Sequence, residues 1–158
     1  GAHVAACPSH VNGRITPFEV RGRVSLPGCF GYELDFDRLS PEEQALIPRQ
    51  LEEYRQYGPV FGEGDCYRLA SYRENGTYDA MMAVSKDKKT AVVSFVQARS
   101  RAYRRSLRLK LAGLEENALY RRKDTDEVRS GAGWMRGGLL MEAVQSDYLT
   151  ALTVLERV

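Results

Sequence analysis

Apolar and polar side chains alternate one by one through several short stretches of the second half of the chain, and this period-two pattern predicts strands. Leu107, Leu109 and Leu111 share one face while Arg108 and Lys110 take the other, as in an antiparallel strand half open to water. Stretches 66–72, 78–84, 91–97, 119–122 and 148–158 complete the set. Ser85-Lys86-Asp87-Lys88-Lys89 joins the second to the third as a charged hairpin connection, and Gly113-Leu114-Glu115-Glu116-Asn117 is expected to play the same part later. Strands at this spacing predict an antiparallel sandwich over residues 64–158.

The first 63 residues have a different grammar. Residues 18–26 also alternate apolar and polar, predicting one strand that Pro27-Gly28 ends. Ser40-Pro41-Glu42-Glu43 then reads as a capping box with proline at the first helical position. The helix it opens should run to about Gln56, with Leu46 or Ile47, Leu51 and Tyr54 on one apolar stripe and Pro48 removing a donor and kinking it. Strand, loop and returning helix form the repeating unit of a (β/α)8 barrel, although one such unit cannot close a barrel; if it belongs to one, the loop 27–37 lies on the side where such barrels do chemistry. The expected class is therefore α+β: barrel-like over 1–63, all-β over 64–158, with the boundary at Gly62-Glu63-Gly64-Asp65.

A chain of 158 residues has room for one domain and a core, or a small domain joined to a piece of another. Its 43% hydrophobic and 28% charged residues are those of a globular protein, and no apolar run approaches the roughly 20 residues of a membrane-spanning helix. Three scattered cysteines argue against a disulfide framework and for a reducing compartment. The net charge of +2 points to no partner.

Four groups of side chains are candidates for chemistry. His3, Cys7 and His10 are good metal ligands close in sequence, but H-x3-C-x2-H lacks a fourth ligand, which favours a structural role. Glu33, Asp35 and Asp37 would lie on one side of an extended segment at steps of about 6 to 7 Å, within reach of glycosidase-type carboxylate work, or else serve solvation and the electrostatics of a helix start. Arg99, Arg101, Arg104, Arg105, Arg108 and Lys110, with Tyr103 among them, could follow a nucleic-acid backbone, although a solvated strand face explains them as well. Tyr67, Tyr72, Tyr78, Phe95, Tyr103, Tyr120, Trp134 and Tyr148 could stack on sugar rings in a carbohydrate-binding module, or pack in the core. Asp124-Thr125-Asp126 sits in a turn after Arg121-Arg122-Lys123.

One set of words is more specific. Gly1-Ala2-His3-Val4, Pro8-Ser9-His10, Gly13-Arg14-Ile15-Thr16-Pro17, Arg21 and Phe30-Gly31-Tyr32-Glu33-Leu34-Asp35 occur in that order. They resemble the C-terminal part of the α-galactosidases of glycoside hydrolase family 36, in which M-G-x-H-V-S-x-x-P-N-H-Q-x-G-R-x-T-P precedes F-G-Y-E-L-D. Ala5, Ser9 and Val11 depart from the usual Ser, Asn and Gln. A weaker likeness continues through Gly64-Asp65-Cys66-Tyr67-Arg68-Leu69, Val84-Ser85-Lys86-Asp87 and Leu109-Lys110-Leu111-Ala112-Gly113-Leu114, so that it covers roughly residues 1–148.

The resemblance implies that the chain, which starts mid-pattern without an initiator Met, is the back end of a larger retaining α-galactosidase. It would comprise the last barrel unit or units followed by a β-sandwich. Raffinose- and melibiose-type oligosaccharides are the implied substrates, with no metal or cofactor, no nucleic acid and no membrane; the full-length enzyme is expected to be a bacterial cytoplasmic homo-oligomer. The nucleophile of this family sits in K-W-D-x-N and the acid/base in a later S-D motif, both upstream of the matched region. No catalytic, substrate-binding or metal residue is thus assigned to this chain, and alone it is expected to be inactive and sticky, with 64–158 as its stable part. A non-catalytic carbohydrate-binding sandwich is the alternative.

Overall fold

The computed structural model describes residues 2–101, 106–142 and 146–158. It is an α+β fold in which a six-stranded antiparallel sheet lies between a helix layer and a short two-stranded ladder. The N-terminal part runs β1 (Val4–Ala5), α1 (Phe18–Ser25), β2 (Tyr32–Glu33), a 3-10 turn (Phe36–Arg38) and α2 (Pro41–Glu63). The C-terminal part runs β3 (Asp65–Ala70), α3 (Tyr72–Asn75), β4 (Tyr78–Val84), β5 (Thr90–Gln97), β6 (Leu107–Leu109), β7 (Leu119–Arg122), β8 (Val128–Ser130), α4 (Gly131–Gly137), β9 (Leu139–Met141) and β10 (Leu149–Arg157).

The strand expected over 18–26 is the helix α1, which corrects the alternation reading. Phe18, Gly22 and Ser25 recur at helical spacing and form its buried stripe with Val20, while Val24 points to solvent. Gly22 sits against α2 so closely that a Cβ there would lie 2.5 Å from the Gln50 side chain. The actual strands are the two-residue β1 and β2, paired in parallel with Val4 opposite Tyr32 and Ala5 opposite Glu33. The capping box of α2 is present, with Ser40 Oγ accepting from Glu43 N at 3.2 Å. The helix continues past Gln56 to Glu63, through Pro48 and Pro59.

In the large sheet the order is β3-β4-β5-β10-β7-β8, so the last strand of the chain is inserted at the centre. The charged segment 85–89 makes the expected β4–β5 hairpin: Asp87 accepts from Ser85 Oγ at 2.6 Å and from Lys89 N at 3.0 Å. The segment 113–117 is not a hairpin connection, because β6 pairs with β9 and the chain crosses here from the small ladder to β7. Gly113 permits the crossing with φ +73, under the Tyr67 ring.

Both faces of the central strands are covered, which is why β5 is buried almost throughout and β4 over its second half. Met82, Val84, Val93, Phe95 and Leu155 point to the small-ladder side, where Leu109, Leu139, Tyr120 and Trp134 meet them. Ala83, Val92 and Val154 point to the helix side, against Leu26, Tyr57 and Phe61. Trp134 is fully buried; its Nε1 donates to Tyr120 O at 3.1 Å, and the Arg129 guanidinium lies 4.5 Å from its ring centroid. Tyr120 in turn donates to Lys88 O at 2.9 Å and ties the β7 strand to the β4–β5 hairpin.

Removing Trp134 therefore leaves a large cavity and an unpaired carbonyl. Trp134→Ala is expected to cost about 3–5 kcal/mol in urea denaturation, while Leu119→Ser, at a side chain that is 49% exposed, should stay within about 0.5 kcal/mol.

Candidate functional site

The parallel ladder has two unlike faces. Val4 is fully buried on the helix side. Tyr32, its ladder partner, stacks on Phe18 with centroids 6.2 Å apart and donates to Gln50 Oε1 at 2.9 Å; Gln50 Nε2 donates to Phe18 O at 3.1 Å. Burial raises the pKa of the Tyr32 phenol and keeps it a donor to Gln50. His3, Ala5 and Glu33 occupy the opposite side, because neighbouring residues of a strand alternate faces. There His3 Nε2 lies 2.5 Å from Glu33 Oε2, with the two side chains 51% and 73% exposed.

The end of β1 is held by one arginine. Arg21 Nη1 donates to Ala5 O at 2.6 Å, Nε to Thr16 O at 3.1 Å and Nη2 to Glu43 Oε1 at 3.1 Å. The same guanidinium lies 5.0 Å from the Phe18 ring centroid. It thereby joins the strand, the loop after it, α1 and α2. The loop turns back at Gly13, whose N donates to Ser9 O at 2.7 Å, and contains a cis Cys7-Pro8 bond.

His3, Cys7 and His10 line one groove of about 240 Å³ with Arg14 and Arg21, yet they do not converge as a metal set. His3 turns to Glu33, and Cys7 Sγ donates to Thr16 O at 3.7 Å. Among the described residues no three of His, Cys, Asp and Glu could hold a metal ion together.

The three acidic residues Glu33, Asp35 and Asp37 part company. Asp35 caps the 3-10 turn by accepting from Asp37 N at 3.1 Å and lies 3.7 Å from Arg38. That is the helix-start role, and it leaves Glu33 as the one acid on the ladder itself. Asp124 is gripped by Arg122 Nε and Nη2 at 2.6 and 2.7 Å, a local turn contact.

Of the basic stripe, Arg101 donates to Asn75 O at 2.7 Å and Arg108 reaches Gly137 O at 3.5 Å. Tyr103, Arg104 and Arg105 lie outside the described residues. The sugar-stacking alternative loses its main platforms, since Phe95, Tyr120 and Trp134 are core residues and Tyr67 and Tyr78 pack against that core. Sequence reasoning missed β1, β2 and the His3–Glu33 contact. The one signal available was the spacing of His3-Val4 and Tyr32-Glu33 on either side of a helix.

Two family models match the chain in succession: Melibiase over residues 1–64, and Glycosyl hydrolase family 36 C-terminal domain over residues 78–155. The chain belongs to glycosyl hydrolase family 36. It is 37% identical over 147 residues to the α-galactosidase Mel36A of Lactobacillus acidophilus, covering 93% of this chain and 20% of that protein. It is 34% identical over 148 residues to the bifunctional α-galactosidase/sucrose kinase AgaSK of Mediterraneibacter gnavus, covering 94% and 16% respectively. The crystal structure of a variant of the α-galactosidase AgaA from Geobacillus stearothermophilus in complex with raffinose aligns over 100% of this family 36 chain, with TM-score 0.94 and 32% identity. The aligned part is 22% of the AgaA chain, so this chain spans about a fifth of the length of its relatives.

Two outcomes follow from this geometry. Arg21→Met leaves Glu43 and two carbonyls without their donor, and is expected to lower stability by about 2 kcal/mol in denaturant titration. The second concerns acid. Lys86 holds the Asp65 carboxyl below its ordinary value of 3.8, Ser85 does the same for Asp87, and Arg122 for Asp124. Their contribution is complete above pH 3.8 and is lost as pH falls through the lowered folded-state values. Tm should be nearly level from about pH 8 to pH 5 and fall below about pH 4.

Proposed function

We propose that this chain is the C-terminal segment of an α-galactosidase that removes terminal α-linked galactose from raffinose- and melibiose-type oligosaccharides by retaining double displacement. The observation that carries the reading is the β1–α1–β2 unit with parallel strands, matched over its whole length to an α-galactosidase crystallised with raffinose. On this reading residues 1–63 are the last two strand–helix units of a (β/α)8 barrel, and residues 64–158 are a C-terminal sandwich whose second sheet is the β6–β9 ladder.

A retaining glycosidase needs two carboxyl groups about 5 to 5.5 Å apart. The nucleophile motif of the family, K-W-D-x-N, has no counterpart here, since the only tryptophan, Trp134, is followed by Met135. The nucleophile therefore comes from elsewhere in the enzyme, the family resemblance places the acid/base upstream as well, and on this reading the chain by itself turns over no galactoside. Its part is to close the barrel wall and brace it from outside. Free thiols at Cys7, Cys29 and Cys66 suit a reducing cytoplasm, and the full-length enzyme is taken to be a homo-oligomer.

The test is the native gene. An open frame continuing upstream of the Gly1 codon with K-W-D-x-N and then an S-D motif is expected, and its whole product should hydrolyse raffinose and p-nitrophenyl α-galactoside. A start codon immediately upstream of Gly1, or a full product inert on α-galactosides, overturns the reading.

A further inference from the structure

We propose that Asn75 is a latent deamidation site, shielded by its own hydrogen bonds while the α3–β4 loop is closed and converted irreversibly to aspartate or isoaspartate when that loop opens. The inference is independent of the α-galactosidase reading and rests on contacts made within this chain.

The chain contains two Asn-Gly pairs, Asn12-Gly13 and Asn75-Gly76. Such a pair is open to intramolecular attack because glycine has no side chain to hinder its backbone nitrogen. Hydroxide takes the proton of Gly76 N, the nitrogen attacks Asn75 Cγ, and the Cγ–Nδ2 bond breaks. Nδ2 takes a proton from water and leaves as ammonia while a succinimide ring closes. Water then opens the ring at either carbonyl, giving aspartate or an isoaspartyl link. Water enters and ammonia departs, with no oxidant or reductant.

In the closed loop each of these atoms is engaged. Asn75 ends α3, Gly76 follows at φ +68, and Gly76 N donates to Tyr72 O at 2.7 Å. Asn75 Nδ2 donates to Ser71 O and Tyr78 O, each at 2.8 Å. Its Oδ1 accepts from Thr77 N at 2.8 Å, and from Thr77 Oγ1 and Tyr78 N at 2.9 Å. Two carbonyls on one end of the amide and three donors on the other fix its orientation. Turning Cγ toward Gly76 N gives up these bonds, so the reaction waits for local opening. Asn12 lacks that enclosure: it is exposed, and its Oδ1 accepts from Arg14 N at 3.1 Å. Conversion of Asn75 then opposes reclosing, because a carboxylate only accepts and would face the Ser71 and Tyr78 carbonyls. The loss reaches the exit of β5, where Arg101 Nη2 donates to Asn75 O at 2.7 Å and Ala98 N and Arg99 N donate to Thr77 O at 2.9 and 3.2 Å.

The experiment uses the intact protein that carries this chain, held in mildly alkaline buffer with and without urea, both Asn-Gly pairs being followed by peptide mass mapping. In urea the two sites are expected to convert within about threefold of each other, since the unfolded chain exposes both alike. In the native protein Asn75 should convert about 100-fold or more slowly than in urea. Thr77→Val removes the Oγ1 donor but keeps the Asn-Gly pair; it is expected to speed native conversion about three- to tenfold and leave the urea rate unchanged. Asn75→Asp, the product itself, should lower Tm; should it fail to fold, the mapping of the unsubstituted protein decides alone. Native conversion of Asn75 within about twofold of its urea rate overturns the inference. So does a urea sample that converts Asn12 but spares Asn75, a Thr77→Val protein as slow as the parent, or a folded Asn75→Asp protein with the parental Tm.

Discussion

The structure depends on one helix closing two cores. The middle of α2 presents Gln50 to Gly22 and Tyr32, and Glu43 nearer its start takes Arg21, so this half organises the parallel ladder. Its last turns present Tyr57 and Phe61 to Ala83, Val92 and Val154 on the large sheet. Strand β3 begins directly after the helix, with Gly64 between Glu63 and Asp65. At Gly64 a Cβ would lie 2.4 Å from Val60 O and 2.5 Å from Val84 O. No slack linker separates the ladder from the sheet, so a tilt of α2 on the sheet would carry the ladder with it. Cutting the chain after Glu63 would uncover the helix-side face of β4, β5 and β10, so region 64–158 is not self-contained on that side.

How much of this was legible in the sequence differs between the halves for a physical reason. An antiparallel strand writes its register into the chain at period two, and six of the large-sheet and ladder strands stand within two residues of where alternation puts them. The short β8 and β9 and the helix α4 escaped, since three-residue strands are below what periodicity can register. At 18–26 the same rule misled. A helix that buries small residues, here Gly22 and Ser25, leaves a hydropathy pattern in which Val20, Val24 and Leu26 look alternate. The capping box of α2 was legible because its chemistry is local, whereas its C-terminal extension to Glu63 is stabilised by contact with the sheet, which no local pattern records.

The candidate site was legible as residues but not as a constellation. Acidic positions after the F-G-Y word were visible; what sorted them was geometry, the 3-10 turn claiming Asp35 and the ladder register bringing Glu33 to His3. The metal-like trio of His3, Cys7 and His10 lines one groove without converging, His3 lying against Glu33 and Cys7 turned to Thr16 O. Aromatic count was a poor guide for the same reason: Trp134 and Tyr120 carry polar atoms that the core itself satisfies, so they have no need of a ligand.

The two halves also divide stability from chemistry. The large sheet is covered on both sides by groups of this chain, as strands rich in valine and alanine require. The parallel ladder is covered on one side, and parallel sheets are otherwise found with both faces buried. Its other side carries the His3–Glu33 contact. Arg21 and Gln50 hold the ladder in register through backbone carbonyls and a phenol. In the proposed barrel, rigidity of this segment comes from the helix side and the sheet beyond it.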